Sequence, residues 1–381
     1  MIAIVAVGYN RVESMKMLVQ SICEADYDGD TVDFVISVDK GKNQSEIVKA
    51  VETIEWKYGN KIIRAFPEKQ GLRKHILQCG DLTEKYDAVV VLEDDLLVSK
   101  AFYKYVKNAI GFYDEDRRIG GISLYSYAAN EFANKPFTPA YNGYDTFIMQ
   151  VAQSWGQCWT QRMWQEFRMW EYSDCESLPE GIDVPACVYR WGATSWKKNY
   201  MAFLADQQKY FVYPYHSYTT NQTEIGTHNT FVTGDYQVIL TKDQREWRFA
   251  PFDSAIQYDG YFERIAPELT DRSFVGKKVL FDLYGLRCRY EGADIVISHK
   301  RLPYCIISEI GLRYRPIEMN CFYLPQGKGL YVYDLHSPAK APVKSDNDYL
   351  MLEYFCINAS WRVALQYAWF GFKRTVKRKT C

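Results

Sequence analysis

Short apolar runs alternate with amphipathic stretches of helical length through the first hundred residues. Four runs rich in β-branched residues are too short for helices and predict buried strands at Ile2–Val7, Val32–Val38, Lys61–Ala65 and 88–92. Between them, apolar residues recur at the spacing of a helix face, and residues 71–85 predict one such helix. This alternation predicts an α/β fold with a mixed, mainly parallel sheet flanked by helices.

The pattern changes near residue 245. Beyond it, short runs at 279–284, 295–297 and 329–334 are separated by glycine, proline and charged clusters, which predicts a smaller mixed or β-rich region. We therefore expect a catalytic domain at 1–245, an accessory region at 246–350 and a C-terminal helix at 351–381.

The fourth strand ends on three consecutive acids, Glu93, Asp94 and Asp95. Adjacent carboxylates repel one another, so such a cluster is typical of a cation site. Mg²⁺ and Mn²⁺ take oxygen ligands and are often shared with substrate phosphates. The alternative is surface charge on an exposed turn.

Polar residues also follow the first two predicted strands, namely Tyr9, Arg11 and Asp39. Ligands bind at the carboxyl ends of the strands in open α/β sheets, so we expect these residues to meet the acidic turn there. Neither the Gly-x-Gly-x-x-Gly fingerprint nor the phosphate-loop pattern follows the first strand. Any phosphates must then be held by a metal and by side chains.

Three of these polar side chains suit a nucleotide. Asp39 could accept from a base N–H, and Arg11 or Arg73 could neutralise phosphate charge. The alternative for both arginines is a position on a solvated helix face.

The order of motifs resembles the GT-A glycosyltransferases, which have a Rossmann-like sheet. The segments that carry the similarity are "VGYNR", "SVDKG", "GLRK" and "VVVLEDDLLVS", with "SWGQCW" and "GTHN" further on. Over roughly residues 1–240, the chain is most similar to the N-acetylglucosaminyltransferase I-like branch and to bacterial family 2-type polysaccharide transferases. In that branch, the usual Asp-x-Asp signature appears as Glu-Asp-Asp.

The resemblance implies a nucleotide-diphosphate sugar donor, a Mn²⁺ or Mg²⁺ ion and transfer with inversion. It implies that Asp95 binds the metal, that Asp94 lies against the ribose or shares the metal, and that Glu93 supports the turn and the donor. Asp39 would contact the base, with Tyr9, Arg11 and Arg73 near the nucleotide. The metal would neutralise the charge that develops on the leaving diphosphate.

Inversion also needs a base for the acceptor hydroxyl. Members of the resembled family carry an acid after the tryptophan-rich loop, but residues 188–197 contain none. Among the nearby acids Asp174, Glu176, Glu180 and Asp183, we expect Asp183, with Glu180 second. Each could instead be a solvated loop acid.

Residues 141–172 are rich in aromatic side chains, which stack on the apolar faces of sugars. Trp164 and Phe167 have helical spacing and are expected in the core. Trp155 and Gly156 are expected in the donor site, because glycine permits close backbone approach. His228 is a candidate phosphate or metal ligand, with a purely structural role as the alternative.

Composition narrows the class of protein. A net charge of −1 gives no field that attracts nucleic acid, and 48% hydrophobic residues suffice for a sizeable core. The ten cysteines form no Cys-x-x-Cys pair, as expected of reduced thiols in a cytoplasmic protein. No run of about 18 apolar residues is present, and Met1 leads directly into the first strand, so we expect neither a membrane span nor a signal peptide.

The last residues combine aromatic side chains with a basic end, Lys373 to Lys379. That composition is typical of a helix on an anionic membrane surface, which would suit a lipid-linked glycan acceptor on the inner face of the plasma membrane. The alternative is a helix docked on the fold with a solvated tail.

These observations predict a metal-dependent, inverting glycosyltransferase that moves a sugar from a UDP-sugar to an oligosaccharide or lipid-linked glycan in cell-surface polysaccharide synthesis. A retaining transferase and a glycan-binding scaffold without catalysis stay open. A nucleotidyltransferase is disfavoured because the glycine-rich loop with a lysine is absent after the first strand.

Overall fold

The computed structural model describes residues 1–171, 178–222, 234, 236–244, 246–342, 347–355, 362, 364–366, 368 and 369. The chain forms two compact units. The first comprises Met1–Ile265 with Leu286–Cys288, and the second comprises Ala266–Gly285 with Arg289–Cys381.

The first unit is an α/β structure. Its strands are β1 (Ile2–Gly8), β2 (Asp33–Val38), β3 (Lys61–Ala65), β4 (Ala88–Glu93), β5 (Leu96–Val98), β6 (Ile119–Ser123), β7 (Ala129–Asn130), β8 (Lys135–Pro136), β9 (Thr146–Met149), β10 (Gln157–Thr160), β11 (Tyr210–Pro214), β12 (Thr219–Asn221) and β13 (Gln257–Tyr258). Its helices are α1 (Val12–Cys23), α2 (Gln44–Glu52), α3 (Leu72–Gly80), α4 (Phe102–Tyr113), α5 (Gln161–Trp170), α6 (Ala186–Tyr189) and α7 (Trp196–Asp206).

Among the described residues, nine strands form one mixed sheet in the order β13-β9-β11-β6-β10-β4-β1-β2-β3. Strand β1 is parallel to both β2 and β4, and β2 is parallel to β3. Strand β10 is antiparallel to β4 and to β6, so β6 runs in the same direction as β4. The carboxyl ends of β1, β2, β4 and β6 therefore share one edge of the sheet, which we call the carboxyl edge.

The core explains the order of elements. Strand β1 is buried along almost its whole length, and the apolar face of α1 (Met15, Leu18, Val19 and Ile22) is fully buried. Trp164 and Phe167 are also buried, at 2% and 0% exposure, which confirms their predicted place in the core. The predicted strands and the flanking helices are confirmed.

The predicted helix over 71–85 is shorter in the structure. Helix α3 ends at Gly80, and Asp81–Glu84 form a 3₁₀ turn. The indole of Trp164 packs on Gly80 where a Cβ would lie and donates to Asp81 at 2.8 Å, while the Thr83 hydroxyl donates to the Gly80 carbonyl. These contacts favour the tighter turn.

The first unit continues past residue 245, the boundary expected from the sequence, and ends at Ile265. Trp247, Phe249 and Phe252 pack against its core, and β13 pairs with β9. The apolar contacts of this stretch therefore belong to the large sheet.

The second unit contains the smaller C-terminal sheet that the sequence predicts. Its elements are β14 (Val279–Asp282), β15 (Ile295–Ser298), β16 (Tyr304–Gly311), α8 (Met319–Tyr323), β17 (Gly329–Pro338) and α9 (Asn347–Phe355). The strand order is β14-β15-β17-β16, and Val296, Leu302, Tyr331 and Tyr333 form a small apolar core. Short 3₁₀ turns lie at Phe252–Ser254 in the first unit and Arg272–Phe274 in the second.

Within the described part of the chain, no helix has the length and apolar character that crossing a bilayer requires. Arg362, residues 364–366, Ala368 and Trp369 are helical. The basic residues Lys373 to Lys379, on which the membrane prediction depends, lie outside the described residues.

Candidate functional site

The carboxyl edge brings together three of the predicted polar segments. Residues 9–11 follow β1, Asp39 follows β2, and Asp94 and Asp95 follow β4. Asn43, beyond β2, donates to the Asn10 carbonyl at 2.8 Å, which packs the first two segments side by side. The convergence expected from strand order is thus present.

Arg11 is the cation that pairs with the acidic turn. Its Nε donates to Asp94 Oδ1 at 2.9 Å, and its Nη1 donates to Asp95 Oδ2 at 3.0 Å. Its Nη2 also contacts Asp94 Oδ1, while the Tyr9 backbone N–H donates to the other Asp94 oxygen at 3.2 Å. One guanidinium therefore binds two carboxylates. Arg11 does not have the alternative position, on a solvated helix face, that the sequence left open.

One arginine does not balance three acids. Burial raises the pKa of Glu93 to about 8, and the negative charges of Asp95 and Asp94 add to that effect. Burial also raises the pKa of Asp94 to about 6, against the opposing charge of Arg11. Full ionisation of the three acids is therefore disfavoured in the protein alone, and a further cation would stabilise their charged forms.

One oxygen of the turn is available for such a cation. Asp95 Oδ1 is buried and has no hydrogen-bond partner among the described residues. A buried acceptor without a partner costs free energy, on the order of 1–3 kcal/mol, unless an ion, a water or a ligand satisfies it. A hard divalent cation fits this carboxylate oxygen.

Within the described residues, no group of three or more His, Cys, Asp or Glu side chains converges on a metal position. Both Asp94 oxygens face hydrogen-bond donors, which leaves Asp95, with Glu93 close in sequence, as the carboxylate source. Mg²⁺ is commonly held by one or two carboxylates together with substrate phosphates. The residues present fit a cation shared with a phosphate ligand and not an all-protein cage.

Gln222 fixes the backbone of the acidic turn. Its N–H donates to the Asp95 carbonyl at 2.6 Å, and its side-chain amide donates to the carbonyls of Leu96 at 2.8 Å and Ser14 at 3.0 Å. The segment that begins after Gln222 contains His228. His228, the predicted phosphate or metal ligand, lies outside the described residues.

Two predicted nucleotide contacts have protein partners in this structure. Asp39 accepts from the backbone N–H groups of Lys40 and Gln70, both at 2.7 Å, and of Gly71 at 2.9 Å. Its carboxylate therefore ties the loop before α3 to the end of β2. Arg73 donates to Glu171 Oε1 at 2.6 Å.

Trp155 and Gly156 lie just before β10, at the carboxyl edge. The Trp155 ring is partly buried and packs edge-on against Tyr125 at 4.9 Å between ring centres. Gly156 has a φ of +99°, and a Cβ there would lie 2.7 Å from Thr219 Cγ2. Thr219 therefore packs closely against Gly156 in this structure, and its hydroxyl donates to the Trp155 carbonyl at 2.6 Å.

The predicted bases occupy a loop before α6. Asp183 accepts from the Tyr261 hydroxyl at 2.7 Å through Oδ1, and its Oδ2 lies 3.8 Å from Arg287 Nη1. Glu180 is exposed in a turn. Asp174 and Glu176 lie outside the described residues.

A buried Ser–His pair was not expected from the sequence. The Ser37 hydroxyl lies 2.7 Å from His75 Nε2 and also accepts from Arg64. Ser37 is fully buried and His75 is 3% exposed, so no substrate reaches them in this conformation. Burial lowers the pKa of His75 to about 4, and the charge of Arg64 lowers it further, whereas that of Asp39 opposes both. We therefore assign a structural role to Ser37 and His75.

Sequence reasoning missed Lys197, Glu131, Tyr127 and Gln222. Lys197 lies in the first turn of α7 and is only 8% exposed. A lysine next to Trp196 and three residues before Tyr200 was a usable signal, because lysines among aromatic residues tend to be buried and then need partners. The other three come from distant loops and gave no local signal.

Proteins similar to this chain were found among solved structures. No model of a protein family matches the sequence, and no curated protein is similar to it at a significant level. Among solved structures, the chain is similar to S. aureus TarS 1–349, with 11% identity and a TM-score of 0.38 over 58% of this chain and 61% of that one.

Two further solved structures are similar to this chain. The mannosyltransferase PcManGT from Pyrobaculum calidifontis, in complex with GDP-Man and Mn²⁺, has 14% identity and a TM-score of 0.32 over 49% of this chain and 48% of that one. GalNAc-T7 with UDP, GalNAc and Mn²⁺ has 12% identity and a TM-score of 0.39 over 56% and 42%. The chain thus spans less than two thirds of these proteins, and TM-scores below 0.5 assign neither a family nor an activity.

Proposed function

We propose that this protein is a metal-dependent glycosyltransferase of the GT-A type, which transfers a sugar from a nucleotide-diphosphate donor, a UDP-sugar, to a glycan acceptor with inversion. The observation that carries the proposal is the acidic turn at the carboxyl ends of parallel strands. It combines adjacent acids, whose ionisation burial disfavours, with Asp95 Oδ1, a buried oxygen that has no partner among the described residues.

Each part of the turn has a task in such a reaction. A divalent cation bound with the donor would neutralise the charge that grows on the leaving diphosphate. Asp95 would hold that cation, and Glu93 would add negative charge beside it. Arg11 orients both aspartates through its three N–H contacts, so the ligand oxygen is held in place before the donor arrives.

The motif order of the first 240 residues supports the same class, as does the lack of a glycine-rich phosphate loop. Without backbone N–H groups from such a loop, a metal is the natural way to bind the diphosphate. The acceptor we propose is an oligosaccharide or lipid-linked glycan of cell-surface polysaccharide synthesis.

Calorimetric titration of UDP, GDP and CMP, each with and without Mn²⁺, tests the proposal. We expect one nucleotide to bind only with metal, and Asp95→Asn to weaken that binding by at least about 100-fold, since it removes a direct ligand. Asp116→Asn, at the opposite edge of the sheet, is the control and should bind normally.

No binding of any nucleotide by the wild-type protein would overturn the donor site and favour a glycan-binding scaffold. Metal-independent binding, or binding that Asp95→Asn leaves unchanged, would overturn the metal site.

A further inference from the structure

We propose that Glu131 is the base that takes the proton from the acceptor, at an acceptor site bordered by Trp155 and Trp191. This inference rests on the proposed function, because it supplies the step for which residues 188–197 offer no acid. Glu131 was not identified from the sequence as a candidate base.

The fold places Glu131 at the carboxyl edge of the sheet. Strand β6 runs parallel to β4, so the chain that follows Ser123 starts at the carboxyl edge. Helix α7 leads into β11, and Lys209, after its last turn, contacts the Arg117 carbonyl ahead of β6. The beginning of α7, with Lys197, is therefore at the carboxyl edge as well.

Glu131 and Lys197 form a largely buried ion pair there. Lys197 Nζ lies 2.6 Å from Glu131 Oε1, and the two side chains are 10% and 14% exposed. The Tyr127 hydroxyl donates to the same Oε1 at 2.7 Å. Both donors use one oxygen, and Oε2 accepts no hydrogen bond from the described residues. The carboxylate is thus oriented by one oxygen and open at the other.

Two tryptophans lie beside the lysine of this pair. Lys197 Nζ lies 5.8 Å from the centre of the Trp155 ring and 5.9 Å from that of Trp191. Both indoles are partly exposed. Aromatic faces stack on the C–H faces of sugar rings, and a carboxylate paired with a lysine beside two such rings can accept from the hydroxyls of a bound sugar. The chemical class that fits is a neutral glycan.

Trp155 connects the acceptor side to the acidic turn. The Thr219 hydroxyl donates to the Trp155 carbonyl, and strand β12, which contains Thr219, pairs with β5 directly after Asp95. The donor and acceptor sides of the reaction are therefore neighbours at the carboxyl edge.

The chemistry balances with these groups alone. The acceptor oxygen forms a bond to the anomeric carbon, and the bond from that carbon to the diphosphate oxygen breaks. The acceptor proton passes to Glu131 Oε2, and the bonding electrons leave with the diphosphate. Lys197 and Tyr127 keep the carboxylate oriented through Oε1, so the open oxygen is the one that becomes protonated.

Asp183 fits this role less well. Its Oδ1 accepts from Tyr261, and its Oδ2 faces Arg287, whose Nη2 also contacts Asp259. Asp183 therefore has a hydrogen-bond donor on one oxygen and a cation at ion-pair distance from the other, whereas Glu131 Oε2 accepts no hydrogen bond from the described residues.

The test uses the full chain, Mn²⁺ and the sugar nucleotides of whichever base binds, and it measures release of nucleoside diphosphate with water as acceptor. We expect Glu131→Gln to slow release by about 100- to 10,000-fold while it binds nucleotide normally, because glutamine keeps the shape but takes no proton. Azide attacks without losing a proton, so sodium azide should restore release and yield a glycosyl azide of inverted configuration.

Glu166→Gln is the matched control. Glu166 pairs with Lys209 at 2.7 Å, with side chains 18% and 12% exposed, but at the opposite edge of the sheet. It should release diphosphate at the wild-type rate. If Glu131→Gln folds poorly, the double variant Glu131→Gln with Lys197→Met removes the unpaired charge and should still be rescued by azide.

Three outcomes would overturn the assignment of Glu131. They are wild-type release by Glu131→Gln, loss of activity that azide does not restore in either variant, and azide-rescued loss in Asp183→Asn alone. If the wild-type protein binds no nucleotide with metal, or releases no diphosphate, the proposed transferase fails first and Glu131 with it.

Discussion

The two edges of the nine-stranded sheet differ in how far their acids are balanced by cations. At the edge where β4 and β6 begin, acids have cationic partners: Arg118 pairs with Asp116 at 2.7 Å, and Lys209 pairs with Glu166. The hydrogen bond from Arg118 lowers the pKa of Asp116. At the carboxyl edge, burial and neighbouring charge raise the pKa of Glu93.

The difference separates ion pairs that serve the fold from charges kept for another purpose. A balanced surface pair costs little and contributes little. Partly buried acids in excess of their cations destabilise the protein, so their presence at the carboxyl edge points to a ligand that compensates for them. The following substitutions test that contrast.

The largest effect should come from Arg11. In Arg11→Met, Asp94 and Asp95 lose their cation in a buried setting, and we expect unfolding to become easier by about 3 kcal/mol. Urea denaturation measures this. Arg118→Met, whose side chain is 45% exposed, should change stability by no more than about 1 kcal/mol. Equal losses at both edges would contradict the contrast.

The second test varies pH in the metal-free protein. The folded-state pKa of Glu93 lies above its ordinary value, so its contribution to stability is complete below about pH 4.5 and is lost as pH rises towards 8. We expect the free energy of unfolding to fall by on the order of 2 kcal/mol over that range. Glu93→Gln should flatten the profile, and an unchanged profile would count against a raised pKa of Glu93.

The smallest effect concerns two glycines. Gly156 and Gly29 both have positive φ, but a Cβ meets Thr219 only at Gly156 and nothing within 4 Å at Gly29. We expect Gly29→Ala to cost about 1 kcal/mol and Gly156→Ala about 2 kcal/mol in thermal unfolding. In a Thr219→Ser background, which removes the nearest contact, the penalty at Gly156 should shrink.

The sequence predicted the strands and the acidic turn because both depend on local pattern. Apolar runs such as Ile2–Val7 define buried strands, and parallel order alone placed Arg11 near Asp94. The boundary at 245 was inferred from the point where the alternation of strand and helix patterns stops. Trp247 and Phe249 belong to the first unit because of contacts that no local pattern shows.

The site was harder to predict where side chains have alternative partners. Asp39 and Arg73 have the right chemistry for a nucleotide, but the structure gives them the backbone of Gln70 and Gly71 and the carboxylate of Glu171. Their roles, like those of Asp183 and His228, stay predictions. Glu131 lies 66 residues from Lys197 along the chain, and only the folded sheet brings the two together.

The contacts of Gln222 bear on any attempt to transplant this acidic turn into another protein. The side chain that fixes the carbonyls of Asp94 and Leu96 comes from 128 residues after Asp94. A graft of residues 88–98 alone would carry the carboxylates without the amide that shapes their backbone. Protein engineers would have to move β12 and its pairing with β5 along with the acids.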